Sequence, residues 1–150
     1  MKRLGILGRS DRGTAVVELG LALPVLLVLA LAATDFVSAF SYKLKLQQYA
    51  QAGANFVVAH GENDPAPGDV KTEVASLSGL DASKIKITRW TECNQSEQDE
   101  YDTCPGSSDV KVSYMQIEVE DTYDPMISID RYSEFLGATD LVGSVVVRLP

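Results

Sequence analysis

The chain has 150 residues, 45% of them hydrophobic, and a formal net charge of −8. That length holds one ordinary domain plus an anchor, and so acidic a chain lacks the basic face that nucleic-acid binding by counterion release requires. The charge is unevenly placed: Lys2, Arg3, Arg9 and Arg12 oppose Asp11 alone up to Gly13, and acidic side chains outnumber basic ones heavily from Thr14 onward.

Residues 1–12 are a short basic leader with Gly5, Gly8 and Ser10 and little periodicity. Residues 14–33 then run apolar except for Thr14, Glu18 and Gly20. Such a run, as helix, spans about 30 Å, the thickness of a bilayer's hydrocarbon core. A secretory signal is the first alternative, with its apolar stretch of roughly 7–15 residues and small-x-small cleavage site; Ala30, Ala32 and Ala33 could mimic that site. Glu18 inside the run, and a helical pattern that continues past Ala33 without a break, argue against it. From Thr34 to Ala59, Phe36, Val37, Phe40, Leu44, Tyr49, Ala52, Phe56 and Val57 recur at helical spacing among Lys43, Lys45, Gln47, Gln48 and Gln51. Gly61 suits a C-terminal cap and Pro65 a stop, so residues 14–60 read as one helix of about 70 Å. Its first half lies in lipid and its second half is amphipathic. Pro24 sits inside it, its ring pressing on the carbonyl of Gly20, which predicts a kink.

After a turn-rich linker over residues 63–69, the spacing of Val70, Val74 and Leu77 predicts a short helix over Asp69–Ser78, closed by Gly79. Lys84 to Thr91 alternates with period two and reads as a half-buried strand. Cys93 to Ser108 reads as a polar loop, and Val110 to Val119 as a second strand with Val110, Val112, Tyr114 (or Met115), Ile117 and Val119 as its apolar positions. Asp124-Pro125 turns the chain, Ile127 to Leu136 fits no single element, and Leu141 to Leu149 closes as a β-rich strand. The expected fold is α+β: a long N-terminal transmembrane and amphipathic helix packed on a small antiparallel sheet of three or four strands.

The basic leader orients the anchor, since positive residues stay cytoplasmic. This gives a cytoplasmic leader over residues 1–13, a transmembrane helix over 14–34, its continuation into the soluble part over 35–60, and an exported domain over 61–150. Cys93 and Cys104 then lie outside the cytoplasm, where a disulfide is the simpler reading and free buried thiols the alternative. Two cysteines without clustered histidines make no tetrahedral zinc site.

No catalytic constellation emerges, and no cofactor motif. His60, the single histidine, falls at the expected helix end, where a lone imidazole more often satisfies a carbonyl or faces solvent than acts as a base. The acidic stretch over residues 97–102 offers alternate oxygens, but it lacks the glycine and distal glutamate of a calcium loop, and a solvated charge run is its default reading. No metal is assigned. Glu18 stands apart, because a carboxylate in a lipid-embedded helix costs a few kcal/mol and marks a functional position by default, unless it lies close enough to the interface to reach water. A cut after Gly13 would leave Thr14 with a free ammonium group on the same helix terminus. A buried charge needs a paired charge, and that new terminus supplies one to Glu18 of the same chain or of a parallel neighbour.

Arg12-Gly13, Val17-Glu18, Ala22-Leu23-Pro24, Asp35-Phe36, Ala39-Phe40, Leu46-Gln47 and Ala52-Gly53-Ala54 together resemble the TadE-like minor pilins (pseudopilins) of the tight-adherence (Flp, type IV-like) pilus system. The ending from Leu141 to Arg148 is similar to that family's closing strand. Leu19 stands where an aromatic residue is usual in the family, and Asp35 where glutamate is common. The resemblance implies cleavage between Gly13 and Thr14 by a membrane-embedded prepilin peptidase. It also implies assembly into a thin pilus with other major and minor pilins by an inner-membrane assembly platform. The rival expectation is an unprocessed single-pass envelope protein whose exported domain binds a partner, and a secreted enzyme with a cleaved signal is a third.

Overall fold

The structure is a computed structural model, and it describes residues 11–61, 65–94, 96–99, 104, 106, 109–125 and 140–149. A single helix, α1, runs unbroken from Asp11 to His60 through Pro24. It is already helical at Asp11, ahead of Thr14. Its 50 residues reach about 75 Å at ~1.5 Å per residue. Gly61 follows at φ 54°, a left-handed turn that a residue without Cβ adopts cheaply and that ends the helix.

The second helix, α2, covers Pro67–Ser78 and closes on Gly79 at φ 70°, whose N–H donates to the Ala75 carbonyl. It starts earlier than Val70-to-Leu77 periodicity indicates, because Pro67 sits in the first turn, where its missing N–H costs nothing. A 3₁₀ turn over Ala82–Lys84, capped by the Asp81 carboxylate on the Ser83 N–H, leads into the sheet. Those backbone donors hold the Asp81 carboxyl below its ordinary range.

Four strands follow: β1 over Ile85–Cys93, β2 over Ser96–Asp99, β3 over Lys111–Thr122 and β4 over Asp140–Arg148. They form one antiparallel sheet in the order β2-β1-β3-β4. The fold class is thus α+β, with the long helix packed on a four-stranded antiparallel sheet. Strand β2 corrects the reading of residues 93–108 as loop throughout. Its segment, Ser-Glu-Gln-Asp, carries no apolar alternation to announce it. It is a strand because Cys93 pairs with Ser96 and Asn94, at φ 50°, turns the chain between them. The stretch 127–136, which fits no single element by pattern, lies outside the described residues.

The core forms where the second half of α1 meets the sheet. Leu46, Ala50, Ala54 and Val57 of α1 are buried with Val70 and Val74 of α2, Ile85 of β1, Met115, Ile117 and Val119 of β3, and Val147 of β4. This settles the phase of β3: Met115, not Tyr114, faces the helix, and Val112 and Tyr114 lie on the opposite side of the sheet. Tyr114 stacks there on Trp90 of β1, ring centroids 5.5 Å apart. Strand β4 approaches α1 closely at Gly143, where a Cβ would run into the Leu46 and Gln47 backbones.

Candidate anchoring and assembly site

The first half of α1 touches nothing in the domain. From Thr14 to Leu31 every residue is exposed, including Val16, Val17, Leu19, Leu21 and the leucines that follow. The helix is long and apolar enough to cross a membrane, and none of its most apolar stretch is buried within the protein. Thr14 and Glu18 lie one turn apart on it, both exposed, so both side chains are open to whatever surrounds the helix. Gly20, one turn before Pro24, has nothing within 4 Å of the position a Cβ would take. Gly13 lies within the helix backbone.

Where the apolar stretch ends, the domain grips the helix through polar groups. Asp35, the first charged residue after Glu18, accepts a 3.0 Å hydrogen bond from the Tyr123 hydroxyl. Burial pushes the Tyr123 hydroxyl above its ordinary pKa, with the Asp35 bond adding to the shift. Two turns on, Tyr42 donates to one oxygen of Asp121, and the ammonium of Lys84 pairs with the other. The Thr122 N–H donates to Asp121 as well, at 2.9 Å. Asp121 is only 8% exposed, and a carboxylate that deep requires such partners. Lys84 first, and Tyr42 second, hold its carboxyl below the usual carboxylate range. The same bond, with burial and the nearby negative charge, pushes Tyr42 up to about 12. The two tyrosine rings lie 6.1 Å apart.

A third grip lies one turn further along. The Gln47 side chain donates to the Ser144 carbonyl at 2.6 Å and accepts from the Ser144 N–H at 3.2 Å. Its amide thereby occupies both backbone groups of Ser144 on edge strand β4. Sequence reasoning missed Tyr42, Gln47, Lys84, Asp121 and Tyr123. Their partners are far away in the chain, and no local period marks them.

At the opposite end of β1, Cys93 and Cys104 are joined, Cα to Cα 5.6 Å. Beside them Asn94 donates to Asp109 at 2.6 Å, accepts from the Val110 N–H, and sends its own N–H to the Val110 carbonyl. His60 donates through Nδ1 to the Phe56 carbonyl at 2.8 Å and packs on the Phe56 ring, satisfying a helix-end carbonyl. Of the acidic stretch over 97–102, Glu97 is exposed on β2, and residues 100–102 lie outside the described residues. Among the described residues no group of three or more metal-ligating side chains converges.

The family model described as TadE-like protein matches residues 13–55, which is the helix from the expected cut site through the part that enters the core. No curated protein and no solved structure matches the chain. An uncovered apolar helix of this length, whose polar second half grips the domain, is the arrangement of a membrane-anchored protein. Over that helix the chain is similar to TadE-like proteins.

Proposed function

We propose that the chain is a minor pilin or pseudopilin that takes part in assembly of a tight-adherence pilus, by priming, capping or adhesion, after prepilin-peptidase cleavage following Gly13. One observation carries this reading. The TadE-like match opens at Gly13, and an exposed carboxylate, Glu18, follows on a helix whose apolar flank no part of the domain covers. In this reading the helix is held in the inner membrane with residues 1–13 cytoplasmic and the domain exported. Cleavage exposes the Thr14 ammonium, and Glu18 neutralises it, in the same chain or across to a neighbouring pilin, as helices stack out of lipid. Pro24 with Gly20 bends the helix for that packing. The sizeable domain that follows suits a capping, priming or adhesive subunit better than a repeating shaft subunit. Its partners are the peptidase, the other major and minor pilins, the inner-membrane platform and membrane lipid.

Mass spectrometry of the mature N-terminus tests the reading. In a strain with a working peptidase the chain is expected to begin at Thr14, and an intact Met1 returns it to an unprocessed single-pass envelope protein. Glu18→Ala is expected to leave processing intact while pilus numbers fall; unchanged pilus counts sink the pairing role.

A further inference from the structure

The apolar surface of α1 does not stop where the domain begins. On the sheet side, the apolar stretch ends at Asp35, bonded to Tyr123. On the far side, Phe36 is 72% exposed, Val37 61% and Phe40 54%, and the first charge after Glu18 is Lys43. The two sides of one helix therefore present apolar lengths that differ by about two turns. Thr34 and Ser38, the hydroxyl residues at this level, spend their donors on the Ala30 and Thr34 carbonyls of their own helix, each at 2.9 Å. No polar donor is then left pointing outward between Leu31 and Phe40 except the backbone-bonded helix itself.

We propose that this overhanging stripe, Phe36, Val37 and Phe40, is a membrane-docking surface, so that the exported domain rests against the bilayer instead of standing clear on a stalk. The proposal rests on the membrane anchoring of α1. Its occupant is lipid, for reasons of length, shape and charge. From Leu19 to Phe40 the far side measures about 33 Å at ~1.5 Å per residue, which matches a hydrocarbon core of about 30 Å with modest tilt. From Leu19 to Thr34 the sheet side measures only about 24 Å, so a helix upright at the Asp35 level would fall short. Tilting the far side into the bilayer removes the shortfall and lifts Asp35 out of it. The stripe carries rings and a branched chain, whereas close helix–helix packing in membranes favours small residues; of the alanines at this level Ala32 and Ala39 are half-buried and Ala33 is exposed. Lys43 and Lys45, both exposed, follow directly and reach the headgroups by extending their stems. Tyr42 and Tyr123 stand at the same level, as aromatic hydroxyl residues do at membrane interfaces.

Tryptophan quenching in vesicles tests this with the whole chain. Trp90, the single tryptophan, is replaced by phenylalanine, and Leu27→Trp, Phe40→Trp and Val58→Trp are made one at a time. Each is reconstituted in phosphatidylcholine vesicles with brominated or ordinary acyl chains, and acrylamide reports access from water. Val58, 65% exposed, lies on the same side about five turns beyond Phe40. The tryptophan at 40 is expected to behave like that at 27: blue-shifted emission, at least halved by brominated chains and insensitive to acrylamide, while that at 58 is quenched by acrylamide alone. A tryptophan at 40 that behaves like the one at 58 overturns the docking surface and leaves the anchor standing. Protection from both quenchers at 40 overturns it in favour of a protein partner. Failure of lipid quenching at 27 overturns the anchor and the docking surface together.

Discussion

Asp121 shows what a single carboxylate can hold together. It takes a proton donor from α1, an ammonium from the turn before β1 and an N–H from β3 itself. Because its folded pKa lies below the unfolded one, ionised Asp121 contributes stability that is present above about pH 4 and lost as pH falls through the lowered value. Asp121→Asn is therefore expected to flatten the acid limb of the unfolding profile, followed by circular dichroism in detergent. Tyr42 works in the other sense. Pushed up to about 12, its neutral hydroxyl contributes stability that is complete below about pH 10 and lost as pH rises through the folded value. Tyr42→Phe is expected to delete a tyrosinate step near pH 12 in ultraviolet absorption and to cost about 1–3 kcal/mol, since Asp121 keeps its burial and loses a donor. Glycines separate in the same residue-level way. Gly143→Ala would set a Cβ against the Leu46 and Gln47 backbones, whereas Gly53→Ala meets the ends of the Val74 and Ile117 side chains, the nearest at 2.7 Å. The first is expected to lower the melting temperature more, because a helix backbone cannot swing aside as a side chain can.

At the scale of elements, β2 depends on the covalent link beside it. It is a four-residue strand at the sheet edge, paired only with β1. The Cys93–Cys104 bond and the Asn94–Asp109 contact hold the chain that leaves it. Reduction, or Cys93→Ser with Cys104→Ser, is expected to lower stability by about 3 kcal/mol, the loop-closure value for a short ring. Hydrogen exchange should quicken first at Thr91 to Cys93 and over β2, and leave β3 and β4 protected. Equal loss of protection across all four strands would contradict this local role. The long helix behaves as two elements joined end to end: its C-terminal half draws stability from Leu46, Ala50 and Val57 in the core, and its N-terminal half draws none from the protein.

For the whole molecule, that division separates environments as well as contacts. The apolar half needs lipid or neighbouring helices, and the rest of the chain carries the acidic excess. Carbonate washing is expected to leave the chain in the membrane fraction. Protease added outside spheroplasts is expected to remove the domain beyond residue 60, and resistance there would reverse the orientation. The grips at Asp35, Tyr42 and Gln47 lie within four turns of helix and hold the domain on α1.

Periodicity and composition made a good part of this legible. The bilayer-length apolar run, the helix beyond it, the strands read over 84–91 and 110–119, which run on to Cys93 and Thr122 in the fold, and the closing strand are local patterns, dictated by which residues can be hidden at a spacing of three to four or of two. The motif from Gly13 to Ala54 was legible for the same reason, since it lies along one helix. Strand β2 was not, because four polar residues become a strand only when β1 offers free backbone groups beside them. Nor was the phase of β3, where Tyr114 and Met115 are both apolar enough to face inward, and only packing against Leu46 and Ala50 decides for Met115. Strand order, the Gly143 contact and the Asp35, Tyr42 and Gln47 grips likewise join residues far apart in the chain. Their pairing depends on where the folded backbone places them, and no local pattern carries that information.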